Sequence, residues 1–333
     1  MLPEAGTRRC PEVSPETKLA PEINVSGVTK VVYSDVKKLA HTIVKDLSVT
    51  FRPGRSSALL GHNGAGKTTT IKLILGLVRP THGSVSIDGQ EVGEAQRRMI
   101  GYMPEVNRIP PVLTPMEVLE YHLATYRPEG LRDGARRRAA IEDSLRRVEL
   151  WDHRNKRVGK LSKGMARRLA WAQATIHDPT VLILDEPMSG LDPTGRMAMR
   201  EWISGFRKSG KTIILCSHEL VTVGELCDDV NILNKGKLVY SATNEDHQGA
   251  YRLSLSGIDE AATAAMREGA RLPDFRRARR EGFAVHLDFF DYAAAASWMQ
   301  AALQRGVVVT GFAPVSIFDE DVLLKYFGKE LES

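Results

Sequence analysis

The sequence predicts an α/β fold built on a mainly parallel sheet, with an inserted helical subdomain and a small second domain of α+β type. Three observations predict it. The buried-type run Ser57-Ala58-Leu59-Leu60 passes through a glycine-rich loop into an apolar helix from about Thr68 to Leu77, which is one βα unit. A second apolar strand, Val181-Leu182-Ile183-Leu184, ends on two adjacent carboxylates, Asp185 and Glu186. Between them, from Thr114 to Leu150, the pattern changes to amphipathic helix.

Strands are expected over Glu22–Val28 and Leu47–Phe51 from their β-branched and aromatic residues, with a turn at Pro53-Gly54. Thr114 is placed to cap the first subdomain helix, Pro115 suits its first position, and Glu117 completes a capping box. The inserted helical subdomain spans about 106–165. The α/β pattern then resumes with a helix from Lys163, the strand ending at Asp185, a helix near Thr194–Lys208 and a strand over Thr212–Cys216. A hairpin-like stretch, Val230–Ser241, turns at Asn234-Lys235-Gly236 and closes a main domain of residues 22–243. A polar linker, Asn244–Gly249, leads to residues 250–333. There the sequence reads strand Tyr251–Leu255, helix from Glu260, strand Phe283–Phe289, helix Ala293–Gln304 and strand Val307–Phe312. Residues 1–21 are polar, rich in Pro, Glu and Lys, and read as a disordered tail without the apolar stretch of a signal peptide.

A chain of 333 residues with 42% hydrophobic content can bury a full core, and no uncharged apolar run reaches the length of a membrane span. Its three cysteines, Cys10, Cys216 and Cys227, have no metal-ligand spacing and read as incidental thiols. The net charge of +5 permits contact with polyanions without demanding it. The basic runs Arg136–Arg138 and Arg276–Arg280 carry no interleaved aromatic residues, so no nucleic-acid partner is expected at either.

The chemistry lies in spaced motifs. Gly61-His62-Asn63-Gly64-Ala65-Gly66-Lys67-Thr68, followed by Thr69, fits the phosphate-loop pattern G-x-x-x-x-G-K-[ST]. Glycines let the backbone wrap closely and aim N–H groups at phosphate oxygens, and the helix N-terminus adds partial positive charge. Lys67 is then expected to reach the β and γ phosphates, and the Thr68 hydroxyl to ligate Mg²⁺. An accidental glycine-rich turn is disfavoured because the match follows a strand and opens a helix. Asp185 and Glu186 stand at a strand's C-terminal end, where open α/β sheets bind ligands. Asp185 is expected to hold Mg²⁺ and Glu186 to polarise the attacking water.

Further segments carry a resemblance. Leu161-Ser162-Lys163-Gly164-Met165 precedes a helix just upstream of the Asp-Glu strand; Ser189-Gly190-Leu191-Asp192 comes after Glu186; His218 follows the run Ile213–Ser217. With the phosphate loop, these are similar, in order, to the signature, D-loop and switch histidine of ABC transporter ATPases, over roughly Glu22–Ala242. The resemblance implies a P-loop ATPase that binds and hydrolyses ATP with Mg²⁺. It implies head-to-tail pairing with a second copy or a related ATPase, so that Ser162 and Gly164 of one chain meet the γ-phosphate held by Lys67 of the other. Asp192 joins the nucleotide site, His218 contacts the γ-phosphate within its own chain, and Tyr33 is placed to stack on adenine. Glu105, after Ile100–Pro104, stands where the family usually has glutamine as a Mg²⁺ ligand. Lys163 and Met165 also depart from the usual signature.

The resemblance further implies a motor subunit at the cytoplasmic face of a membrane, peripheral to a separate multi-pass permease that it drives in export. The C-terminal stretch Gly311–Val322 is similar to the end of exporter ATPases, whose small C-terminal domain helps dimerisation or regulation. The competing reading is a soluble ABC-type ATPase acting on nucleic acid or ribosomes. It is disfavoured by a single phosphate loop, a single signature and no sustained heptads. A regulatory module that binds ATP without hydrolysis is opposed by the presence of Glu186.

Overall fold

A computed structural model of the chain describes residues 20–33, 40–131, 133–218, 220–243, 251–256, 275–281, 284–289 and 292–314. They fall into two compact units. One comprises Met1–Val28, Ser48–Arg55 and Ile71–Ile214, and the other Thr29–Leu47, Ser56–Thr70 and Leu215–Ser333.

In the first unit, strands β1 (Ile23–Tyr33) and β2 (Ala40–Phe51), which both units share, meet β4 (His82–Ile87) and β5 (Gln90–Glu91) in the order β2-β1-β4-β5. Ile23, Val25 and Val28 are buried on β1, and the Ser48 hydroxyl accepts a 3.0 Å bond from the Gly27 N–H. Both strands run longer than their β-branched cores suggest. Next to a short helix α2 (Glu94–Arg98), β6 (Ile100–Met103) runs parallel to β7 (Val181–Asp185), pairing Ile100 with Val181 through Met103 with Leu184. β7 in turn neighbours β8 (Thr212–Ser217), and every residue of β7 and β8 is buried. That two-sided burial explains why these strands read as unbroken apolar runs and do not alternate.

Two α-helices of this unit lie within the stretch expected as the helical insertion, and two more follow it. In α3 (Pro115–Tyr126) the Thr114 hydroxyl accepts from the Glu117 N–H at 3.3 Å, while the Glu117 carboxylate accepts from the Thr114 N–H at 2.8 Å, the expected capping box. The bond from the Thr114 N–H, and after it a 2.9 Å bond that the Thr114 hydroxyl donates to the same carboxylate, hold the exposed Glu117 carboxyl below the usual carboxylate range. Helix α4 (Gly134–Arg147) starts on Asp133, whose carboxylate accepts from the Arg136 N–H at 2.9 Å, and buries Ile141 and Leu145 one turn apart. Helix α5 (Lys163–Thr175) starts on Ser162, and α6 (Pro193–Lys208) on Asp192.

In the second unit the strand order is β10-β9-β3-β8. β3 (Ser56–Leu60) runs parallel to β9 (Asp229–Asn234), which turns at Lys235-Gly236 into antiparallel β10 (Lys237–Thr243), the expected hairpin. Helix α1 (Lys67–Ile74), whose residues from Ile71 on belong to the first unit, comes after the glycine loop, and α7 (Leu220–Leu226) after β8. α1 stops three residues before Leu77, where the apolar pattern of the sequence ends it. Gly76 takes φ +63°, its N–H bonds the Leu73 carbonyl at 3.0 Å, and the Leu77 N–H bonds the Lys72 carbonyl at 2.9 Å. That pair of bonds is a Schellman close, which Gly permits without the Cβ penalty of the left-handed region. Cys216 and Cys227 are buried and unbridged.

The same unit holds a separate antiparallel sheet, β12-β13-β11-β14, formed by β11 (Tyr251–Ser256), β12 (Phe275–Glu281), β13 (Ala284–Phe289) and β14 (Val308–Pro314). Helix α8 (Tyr292–Gln304) packs Ala295, Trp298 and Ala302 with Leu253, Leu255, Val285, Leu287 and Phe289 into one core. Arg252 grips Asp288 with two bonds, Nε to Oδ1 at 2.7 Å and a terminal nitrogen to Oδ2 at 2.9 Å. The basic run Arg276–Arg280 lies on β12, a strand that its charge does not announce. The predicted tail before residue 20, the linker Asn244–Gly249, the helix from Glu260 and the stretch beyond Pro314 lie outside the described residues.

Candidate nucleotide-binding and hydrolysis site

The predicted site residues divide between the two units. In the second, β3 is buried at all five positions and delivers the chain to Gly61. A Cβ at Gly61 would lie 2.6 Å from the Leu233 carbonyl oxygen and 2.8 Å from the Ala65 Cβ, so only glycine lets the loop lie this close to β9. The loop turns through an Ala65 N–H to His62 carbonyl bond of 3.0 Å and enters α1, where the Thr70 N–H bonds the Gly66 carbonyl at 2.8 Å. Lys67 is 6% exposed, and its Nζ folds back to donate to the carbonyls of Gly61 and His62. The loop is thereby closed around its own cation at the start of a helix, where the first N–H groups have no partner within the helix itself. Asn63, Gly64 and Thr68 are exposed around it, Thr69 is half-buried, and Ala65 and Gly66 are buried. His218 comes after buried Ser217 at the end of β8 and is exposed; Tyr33 ends its run of β1 at 69% exposure. This arrangement fits a triphosphate: a tight backbone cradle, a helix N-terminus, and a lysine held by weak carbonyl acceptors that phosphate oxygens outcompete.

In the first unit, Asp185 and Glu186 are 2% and 8% exposed at the end of β7. Glu186 has φ +48°, the left-handed region that a non-glycine residue occupies at a cost of about 1–2 kcal/mol. Facing them from α5 is Arg167, 5% exposed. One of its terminal nitrogens donates to the carbonyls of Pro104 at 2.7 Å and Glu105 at 2.8 Å. The other donates to the carbonyl of Asp185 at 3.4 Å and to that of Glu186. Burial pushes this guanidinium below its usual value, opposed by the charges of Asp185, Glu105 and Glu186 in that order. Arg167 bonds the backbone beside Asp185 and Glu186 and belongs to no motif read from the sequence. The available signal is a charge on the buried stripe of α5 that continues through Ala170, Trp171 and Ala174.

The remaining residues are at helix starts or in the loop after β6. Ser162 is exposed and its hydroxyl accepts from the Met165 N–H at 3.2 Å; the Gly164 backbone lies in the first turn of that helix. Asp192 caps α6 by accepting from the Gly195 N–H at 2.8 Å. The Glu105 side chain is exposed. Among the described residues no group of three or more His, Cys, Asp or Glu side chains is gathered to hold a metal. Asp185 and Glu105 carry hard carboxylate oxygens, the donors that Mg²⁺ takes one or two at a time together with substrate phosphates.

Beneath the loop after β6 sits a polar cluster that the sequence does not signal. His122 Nε2 lies 2.9 Å from His177 Nδ1, His177 Nε2 lies 3.2 Å from the Ile100 carbonyl, and the Tyr126 ring is 4.4 Å from His122 and 4.0 Å from His177 between centroids. The carbonyl requires an N–H on His177 Nε2, which leaves Nδ1 to accept from His122. Burial pushes His122 down to about 3, helped by His177. It also pushes His177 down to about 4, lowered further by Lys211 and opposed by the Ile100 bond and Asp178. Burial likewise raises the Tyr126 hydroxyl. In the unfolded chain both histidines take a proton near 6.5, while in the folded chain they do not until about 4 and about 3. Stability is therefore fully present above pH 6.5 and falls as the pH drops below it. The expected slope approaches about 1.4 kcal/mol per pH unit for each histidine. Urea unfolding between pH 7 and pH 5 measures it, and His122→Phe, which keeps the stacking and cannot titrate, should remove about half of the slope. An unchanged slope in that variant would locate the pH dependence elsewhere.

A lysine-closed glycine loop opening a helix, and a buried strand that ends on Asp-Glu, are the working parts of a P-loop nucleoside triphosphatase. Residues 44–189 match the family model described as ABC transporter. An ABC transporter ATP-binding protein of Synechocystis is 38% identical over 223 residues, 66% of this chain and 62% of that relative. Nod factor export ATP-binding protein I of Burkholderia orbicola is 36% identical over 227 residues, 66% of this chain and 73% of that protein. The solved structure of an ATP-binding subunit of an ABC transporter superposes with a TM-score of 0.59 at 29% identity, covering 68% of this chain and 91% of its own. The chain belongs to the ABC transporter family, as one of its ATP-binding, ATP-hydrolysing proteins.

Proposed function

We propose that two copies of this chain, or this chain and a related ATPase, close around two ATP molecules and drive export through a separate membrane permease. Within each copy, Gly61 to Thr69 hold the phosphates, with Lys67 on the β and γ groups, His218 on the γ-phosphate, and Tyr33 against the adenine. Ser162 and Gly164 of the opposing copy complete the γ-phosphate site, and Asp192 borders it. Thr68, Asp185 and Glu105 would hold Mg²⁺, and the ion would supply positive charge beside the phosphate oxygens. Glu186 takes the proton of the attacking water. A γ-phosphate touched from both sides favours the closed pair, and hydrolysis removes that differential contact.

The observation that carries the transport reading is a groove in the helical subdomain, lined by Tyr102, Asn107, Ile109, Leu113, Tyr121 and His122. Around it Val106, Val112 and Tyr121 are 65%, 66% and 74% exposed, apolar surface that suits a protein partner. Among the described residues no helix is long and apolar enough to cross a membrane, so the pathway in this reading belongs to another chain at whose cytoplasmic face the ATPase docks. Export rests on the similarity to a relative named for Nod factor export.

The test is affinity purification of tagged Glu186→Gln protein from detergent-solubilised native membranes in the presence of Mg-ATP. A multi-pass membrane protein recovered in near-equal amount is the expected result. Recovery of only ribosomes, nucleic acid or soluble proteins would remove the export assignment and leave the ATPase standing.

A further inference from the structure

The loop after β6 and the end of β7 are distant in sequence, yet one side chain holds both. Arg167 is buried, and it spends its two terminal nitrogens on four backbone carbonyls, those of Pro104, Glu105, Asp185 and Glu186. None of these acceptors is a carboxylate, so the guanidinium is placed to fix backbone and leaves the Asp185 and Glu186 carboxylates to other work. A lysine could not do the same: its single ammonium cannot span two segments with the planar fork of an arginine. The arrangement is also costly. Arg167 Nε is buried without a hydrogen-bond partner among the described residues, and Glu186 is held at φ +48°. Strain of this kind persists only where surrounding contacts over-determine it. Two bonds converge on the Glu186 carbonyl here, one from the Ser189 N–H at 3.1 Å within the turn and one from Arg167, and only the second comes from outside the turn. The same helix, five residues earlier, begins on Ser162.

We infer that Arg167 is a positioning residue for hydrolysis. It locks the Glu186 backbone in the left-handed conformation that aims its carboxylate, and it ties that conformation to the Glu105 segment. A movement of the loop after β6 therefore reaches Glu186 through one guanidinium. The inference depends on Glu186 being the residue that activates water, as proposed above.

The experiment compares the full chain with Arg167→Gln, Arg167→Lys, Glu186→Gln and the double variant Arg167→Gln/Glu186→Gln. It measures kcat and KM for Mg-ATP, ATP affinity by direct binding, and Tm. Arg167→Gln is expected to lower kcat about 10–100-fold, the scale of a displacement near 1 Å in a reacting group, with ATP affinity within about twofold. Arg167→Lys, which keeps the buried charge, is expected to fold like the parent and still lose several-fold in kcat. In the Glu186→Gln background, Arg167→Gln should lower the residual rate by less than about twofold, because the carboxylate it aims is gone. Three results would overturn the inference: parental kcat in Arg167→Lys; loss of ATP affinity in proportion to kcat, as a purely structural residue would give; or an equal kcat loss with and without the Glu186 carboxylate. If Arg167→Gln fails to fold, Arg167→Lys alone decides between the outcomes. Failure of the Glu186 reading is seen separately, as turnover retained in Glu186→Gln with Arg167 intact.

Discussion

Glu186→Gln is expected to lower kcat for ATP hydrolysis by about 10²–10⁴-fold, the usual contribution of a positioned general base. The amide is nearly isosteric, so the buried end of β7 keeps its packing; what is lost is the ability to accept the proton of the attacking water. ATP affinity should be equal to the parent or tighter, since the γ-phosphate contacts remain and the step that releases them is blocked. Single-turnover hydrolysis of labelled ATP, with binding measured on the same preparation, separates the two quantities. A turnover within tenfold of the parent would take the role of base away from Glu186.

Lys67→Ala should act on binding. Lys67 is the buried cation of the glycine loop, and in the structure its Nζ occupies itself with the carbonyls of Gly61 and His62. Exchanging those neutral acceptors for phosphate oxygens gives charge-assisted bonds of about 1.5–3 kcal/mol, so deletion should weaken ATP affinity by about 10–150-fold. The loop also loses the tie across its mouth, which removes preorganisation. Isothermal titration with ATP at fixed ionic strength reads the effect, and an affinity within twofold of the parent would exclude Lys67 from phosphate recognition.

The two predictions differ in how directly the sequence announces them. Gly61 to Thr69 form a local pattern, where each residue type is required by its immediate neighbours: a strand before, a helix after, and glycine where β9 comes close. Asp185 and Glu186 are legible for a related reason, because two adjacent carboxylates closing an unbroken apolar strand mark its C-terminal end, where open α/β sheets place ligands. The helix cap at Thr114 is also legible, since its bond to Glu117 spans three residues, and the structure adds caps of the same span at Ser162 and Asp192.

Elsewhere sequence patterns fall short where the decisive partner is far along the chain. β6 has four residues and no turn signal of its own; its pairing with β7, some eighty positions later, makes it a strand. β12 carries a basic run that composition assigns to solvent, and its pairing with β13 decides its conformation. His122 and His177 stand 55 residues apart, and their hydrogen bond and depressed titration exist only because both are buried against Tyr126. Arg167 bonds carbonyls 62 to 63 residues before it and 18 to 19 after it.

By itself, then, the amino-acid sequence determined the chemistry: a phosphate loop with its lysine, a strand delivering two carboxylates, and the capped helices beyond them, all specified by interactions within a few residues. Only the tertiary structure decided how that chemistry is held. The left-handed backbone of Glu186, the guanidinium that bonds it and the neutral histidine pair all depend on carbonyl groups and rings brought from distant segments, and which polar groups are buried together is a property of the folded chain that no local pattern of residues encodes.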